Sequence, residues 1–230
     1  MKIFRKILTT ILFASAILFT ACSSNEYYDN YAGKPYIDSK QPKSPQIIPG
    51  KVENELYDLG GEGVAYHDTD SSNSGSGALN PADGSYLHEF RINESVDISY
   101  TKSNGVDDNP FNFVEPEMGK LYLGWTEPGE WVNYSVDVME SGSYKVGLMF
   151  TSNRSGNISL SVDDKVIAPS IFVPSTFVAE DSIQWRNWHH WNYVDSLTTV
   201  QLSKGKQVLK LTTTVNGNMN YDYLNFELIK

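Results

Sequence analysis

The residues of this chain best placed to do chemistry are aromatic rings, amides and carboxylates. Trp185, Trp188, His189, His190, Trp191 and Tyr193 crowd one short segment. On a strand, Trp185 and Trp191 take one side and Trp188 and His190 the other, so the cluster cannot face a single way. Trp131 and Trp191, each followed by strand-like sequence, are expected in the core, and Trp188, in the loop before its strand, is expected to be exposed. An exposed ring packs on the weakly apolar C–H face of a pyranose, while a nearby amide or carboxylate fixes the hydroxyl pattern. Asn220, in Asn218-Met219-Asn220-Tyr221-Asp222, is the candidate amide. The pair His189-His190 reads as a loop feature, because a zinc site usually needs a third ligand at tight spacing.

Carboxylates gather in Val52-Glu53-Asn54-Glu55. Glu53 and Glu55 point the same way on a strand, and two like charges side by side are costly unless a cation lies between them. Calcium takes several oxygen ligands, so this pair with a third carboxylate makes a plausible structural site. Asp222 shares its strand face with Leu224, Phe226 and Leu228, which puts a carboxylate beside the core in need of a partner; a buried, hydrogen-bonded Asp is the plainer reading of it. Glycoside hydrolysis needs two carboxylates flanking the scissile bond. Glu115, Glu117, Glu127 and Glu130 are available, the first two in a loop. No nucleophile motif, phosphate loop or dinucleotide fingerprint is present.

The elements that must hold these residues begin after an export signal. Lys2, Arg5 and Lys6 precede an apolar run from Ile7 through Phe19 that stops at Thr20-Ala21-Cys22. That pattern describes a secretory signal over residues 1–21, too short to span a membrane comfortably. The single cysteine sits where a bacterial lipobox would place it, and it is expected to carry a lipid anchor rather than a disulfide. Residues 22–47, rich in Ser, Asn, Tyr, Lys and Pro, read as a flexible tether. Loss of the three signal cations takes the formal charge from −10 to −13, which argues against nucleic acid or an anionic bilayer surface as the main partner.

Residues 48–230 suit one domain. In Trp131-Val132-Asn133-Tyr134-Ser135-Val136-Asp137-Val138 the even positions are apolar and Asn133, Ser135 and Asp137 lie on the other side. The same period of two recurs in residues 144–150 and 158–163. Turn signals at Glu140-Ser143, Asn153-Asn157, Asp163-Asp164, Lys204-Lys206 and Asn216-Asn218 separate these half-buried strands. The expectation is an all-β fold, a β-sandwich. Two long segments, 73–119 and 168–187, break the rhythm, and connections of that length in a compact domain tend to carry function.

Five stretches in order resemble the family 6 carbohydrate-binding modules: Ile48 to Glu55, Gly60 to Asp70, Arg91 to Ile98, Leu123 to Tyr134, and Met219 to Tyr223. The resemblance implies a jelly-roll-like sandwich of two antiparallel sheets, a sugar cleft among loops at one end, and a structural calcium elsewhere. By motif position it implies Tyr66 and Trp188 as the rings that sandwich a sugar and Asn220 as the amide. Glu62 is the acidic candidate in the cleft, with Glu53 as an alternative, and Trp185 is an additional tryptophan near it. Glu53, Glu55 and Asp222 would hold the calcium. Glu127 and Glu130 fall in a motif that the family carries without catalysis. The partner is then a polysaccharide or oligosaccharide, with a membrane reached only through the anchor, at the outer membrane or cell surface, alongside a separate glycan-degrading enzyme. A glycoside hydrolase and a protein-binding adhesin are the alternatives. The two long segments depart from the family's pattern and put the shape of the cleft in question; they are expected to wall or block it and to pair with each other.

Overall fold

Side chains that alternate between apolar and polar specify strands with one buried side, and the structure, a computed structural model, folds the chain accordingly. It describes residues 25–42 and 44–230, so the signal segment and Cys22 lie outside the described residues. One sheet contains β1 (Gln46–Ile48), β6 (Trp131–Val138), β11 (Gly205–Val215), β8 (Gly156–Val162) and β9 (Lys165–Val173) in that order, with β3 (Tyr66–His67) also on β6. The other runs β10 (Asn192–Leu202), β7 (Gly142–Ser152), β12 (Met219–Leu228), β5 (Leu121–Leu123) and β4 (Ile98–Tyr100), with β2 (Gly50–Glu53) also on β12. Pairing is antiparallel except between β1 and β6. The sandwich is therefore as expected, with one parallel edge pair. Among the described residues no helix is long and apolar enough to cross a membrane.

Val136, Leu209 and Leu160 of the first sheet meet Leu148, Phe226 and Tyr221 of the second in one core. The outer side of the second sheet carries a smaller one, of Tyr122, Met149 and Trp191. The hairpin turn between β8 and β9 has Asp163 and Asp164 at φ 51° and 58°, the double left-handed conformation that two-residue hairpins require. Short turns join β6 to β7 and β10 to β11 at one pole, and β7 to β8 and β11 to β12 at the other. The two poles are thus opposite ends of the same strands.

Trp191 is fully buried as expected, but Trp131 is only half-buried. The two-residue period itself explains this: Trp131 is odd-numbered like Asn133 and so faces outward from β6. Lys210 on the neighbouring strand lies over its ring, 4.7 Å from the centroid.

The expected tether is also different. Described residues 25–42 lie along the domain, starting with a short helix, α1 (Glu26–Asn30). Asn25 caps α1 by accepting from the Tyr27 and Tyr28 amides, and its Nδ2 donates to Asp163 Oδ2 at 2.7 Å and the Lys206 carbonyl at 2.9 Å. The Tyr31 hydroxyl donates to the Val64 carbonyl, and Lys34 and Leu59 exchange both backbone bonds. Tyr36 packs edge-on against Phe90, and its hydroxyl donates to Asp38. Four tyrosines within ten residues supply ring area at little entropic cost, which is why a polar stretch without hydrophobic period still binds.

Candidate sugar cleft and carboxylate cluster

At the pole where β12 begins, a cavity of about 420 Å³ is lined by Leu79, Tyr122, Trp125, Trp185, Trp188, His189, Asn218 and Asn220. Trp185 and Trp188 belong to a 3-10 helix, Gln184–Trp188. Three residues per turn stack positions i and i+3 on one side, so both indoles face the cavity while His190 and Trp191 turn inward. Trp185 is 53 % exposed, and its ring meets His189 edge-on at 5.7 Å.

That helix is held from below by the buried carboxylate of Asp181. Arg186 donates to it through Nε at 2.6 Å and Nη2 at 2.8 Å, His190 Nε2 lies 2.8 Å away, and the Ile183 amide donates at 2.9 Å. The paired guanidinium, foremost, holds Asp181 well below the usual carboxylate range. Arg186 of segment 168–187 donates through Nη1 to the Gly105 carbonyl of segment 73–119 at 3.2 Å, and residues just past the second segment add further bonds beneath the cavity. Asp107 Oδ1 accepts from Trp191 Nε1 at 2.7 Å and meets His189 Nδ1 at 2.8 Å, Asn109 donates to the His189 carbonyl, and the Phe113 amide donates to Trp191. His189 and His190 thus serve two different carboxylates, in keeping with the loop-feature reading.

Asn220 is oriented by its neighbours. The Thr151 hydroxyl donates to the Trp188 carbonyl at 2.7 Å, so its lone pairs are free to accept from Asn220 Nδ2 at 2.9 Å, which also donates to Trp188 O at 2.8 Å. Both neighbours are acceptors, which fixes the amide nitrogen on that side. Oδ1 is left free of any protein donor among the described residues, ready to accept from a hydroxyl. A Cβ at Gly124 would sit 3.0 Å from that oxygen and 3.3 Å from the Tyr122 ring, so a larger residue there would push one of them aside by a few tenths of an ångström. Trp125 follows at φ 48°, a conformation that a bulky side chain adopts at a cost and that is concentrated at ligand sites.

A second cluster lies beside β2. Glu53, Glu55 and Asp222 each bring a carboxylate oxygen within 4.8 Å of the others. Asp222 reaches it through an irregularity in β12: Tyr221 pairs Phe150, Leu224 pairs Leu148, and both face the core although three residues apart. One extra residue lies between them, so simple alternation fails at Asp222, and it joins the acidic pair instead. Burial, then the charge of Glu53, pushes Asp222 up to about 7; burial raises Glu53 as well and lifts Glu55 far above its usual range. None of the three forms an ion pair among the described residues, and Glu55 Oε2 is buried without a hydrogen-bond partner. Three converging oxygens with no nitrogen or sulfur donor suit a hard cation.

A comparison with curated proteins finds no match. The sequence pattern described as carbohydrate binding module (family 6) matches residues 97–228, more than half of the chain. The chain belongs to that family. Among solved structures, this family 6 module is similar to one from Clostridium stercorarium in complex with cellobiose, at 13 % identity and a TM-score of 0.48, over 81 % of this chain and 98 % of that one. It is also similar to a β-1,3-glucan-binding family 6 module from Bacillus halodurans, at 16 % identity and 0.47, over 80 % and 99 %. A third likeness is to the module of Cellvibrio mixtus lichenase 5A in complex with cellotriose, at 20 % identity and 0.42, over 59 % and 88 %.

Three of the five cleft residues read from the sequence, Trp185, Trp188 and Asn220, come together in this module, and two do not. Tyr66 is 6 % exposed, lies in the core and meets Tyr57 edge-on at 5.5 Å. Its place on β3, paired with Val132, turns the ring inward, and Trp125 stands in the cavity instead. Glu62 is spent on His67 Nδ1 at 2.5 Å and the Asp68 amide at 3.1 Å, away from the cleft. Tyr66→Ala should therefore lower the melting temperature and spare the cleft. Deleting a core ring costs about 3 kcal/mol or more, or roughly 6–12 °C in a domain of this size. A thermal shift beside a binding isotherm checks this, and an unchanged Tm with lost binding would return Tyr66 to the cleft. Glu127 and Glu130 have structural partners: Glu127 Oε1 accepts from Asn218, and Glu130 Oε1 from Thr69.

Proposed function

We propose that this chain binds a neutral glycan, a β-linked polysaccharide or its chain end, between Trp125 and Trp188, without cleaving it. The supporting observation is the free Oδ1 of Asn220, held by two fixed bonds in a cavity of three indoles that has no carboxylate and no lysine or arginine along its walls. Stacking gives area and the single acceptor gives orientation, while a uronate or sulfate would meet only His189, whose Nδ1 is already engaged by Asp107. Family membership supports the same reading, and so does the structural use of Glu127 and Glu130. Glu53, Glu55 and Asp222 are assigned to a structural calcium, and Cys22 to a lipid anchor at the cell envelope after removal of residues 1–21. The domain then comprises residues 48–230 together with the bound N-terminal stretch, and it works beside a separate glycan-degrading enzyme. A glycan array of the soluble form lacking residues before Ser23 tests the reading. Binding confined to neutral β-glucans, xylans or galactans is expected; binding confined to uronate or sulfated polymers would contradict it.

A further inference from the structure

The start of β11 lies at the pole opposite the cleft, and the turn between β8 and β9 lies level with Val208 and Leu209, in the half of β11 nearer that pole. Gly205 pairs Val138 at one end of β11, and Val215 pairs Asn157 at the other, beside the start of β12 and Asn220. An eleven-residue strand separates the two ends by on the order of 30 Å. Asn25 binds the Lys206 carbonyl, next to the far end, and Asp163, which lies against Val208, and Lys206 Nζ lies 5.9 Å over the Tyr28 ring. From there the stretch runs along the domain, held by the Tyr31 hydroxyl on the Val64 carbonyl, the backbone pair of Lys34 and Leu59, and the Tyr86 hydroxyl on Asp38.

We infer that residues 25–38 are a strap that fixes the N-terminal attachment at this far pole, so that the bilayer faces the β8–β9 and β10–β11 turns and the sugar cleft points away from it. The inference rests on the assignment of the lipid to Cys22. Cys22 is three residue steps from Asn25, and a chain reaches at most about 3.6 Å per step, so the Cys22 backbone cannot lie farther than roughly 11 Å from Asn25. A free tether of residues 22–47 would instead let the domain tumble and present either end. The exposed Lys165, Lys204 and Lys206 at the pole meet the phosphate layer.

The experiment uses the full chain, lipidated and reconstituted in vesicles of phosphatidylethanolamine and phosphatidylglycerol. Cys22 is the only cysteine and its sulfur carries the lipid, so a fluorophore on Lys204→Cys or on Val215→Cys labels one end of β11 alone. With a quencher on the lipid headgroups, the Lys204→Cys label should be quenched several-fold more than the Val215→Cys label. Asp163→Asn with Tyr31→Phe turns an amide donor toward Asn25 and removes the Val64 bond, and it should erase most of that contrast. Equal or reversed quenching, with the lipid verified on Cys22 by intact mass, overturns the orientation and leaves the anchor standing. A contrast that survives the double variant overturns the strap as its cause. An unlipidated Cys22 and no flotation with vesicles overturn the anchor and the orientation together.

Discussion

Trp188→Ala should lose at least about 30-fold in glycan affinity, the roughly 2 kcal/mol that a central aromatic anchor contributes, with the melting temperature nearly unchanged. The two effects separate because the side chain and the backbone of Trp188 do different things. Its carbonyl accepts from Thr151 and Asn220, and those bonds persist in the variant, so the acceptor Oδ1 stays in place. Trp188, expected to be exposed, is half-buried, and its indole N–H is enclosed without a partner, so truncation costs no hydrogen bond and removes an unsatisfied donor. What goes is one face of the cavity. Trp125→Ala should lose a comparable amount, and Trp185→Ala less, because that ring is on the rim with half of its surface in water. Titration calorimetry on the best array ligand, with thermal melts of each variant, measures this. Parent-like affinity in Trp188→Ala and Trp125→Ala would sink the cleft.

In calcium-free buffer the domain should grow less stable as pH rises from about 4 to about 8, and added calcium should restore more stability at the upper end. The sign follows from the buried carboxylates. Their unfolded values are about 4, whereas burial and mutual repulsion raise all three in the folded state, Asp222 to about 7. The folded form holds their protons more tightly, so the stability is fully present below about 4 and is lost as pH climbs through 7. Calcium binds the ionised groups and reverses the loss, and its affinity rises with pH. At a hundred times its dissociation constant it adds about 2.7 kcal/mol, or roughly 5–10 °C here. Glu55→Gln should abolish the calcium increment and raise the melting temperature in chelator at pH 8. Melts in calcium and in chelator that superimpose from pH 4 to 8 would dispose of the site.

What the sequence determined by itself was the set of local periodicities. Val132, Tyr134, Val136 and Val138 impose strand alternation, and Asp163-Asp164 and Lys204-Gly205 impose turns, because side-chain direction and backbone torsion are properties of a few adjacent residues. The same period already placed Trp131 outside, against the habit of burying tryptophan. Trp188 and Asn220 were legible from their types and motifs, and the three-residue spacing of Trp185 and Trp188 was a signal for their common face once that segment is helical rather than extended. Tertiary structure alone decided the rest. The cavity is lined by Trp125 and not by Tyr66, because pairing with β6 turns Tyr66 inward. The family resemblance had already grouped Asp222 with Glu53 and Glu55, but the extra residue in β12 that turns it toward them shows only against the register of β7. The polar residues 25–42 lie against the domain because their partners, Asp163, Lys206, Val64 and Leu59, are 25 to 181 residues away in the chain, and a contact of that separation leaves no mark on local periodicity.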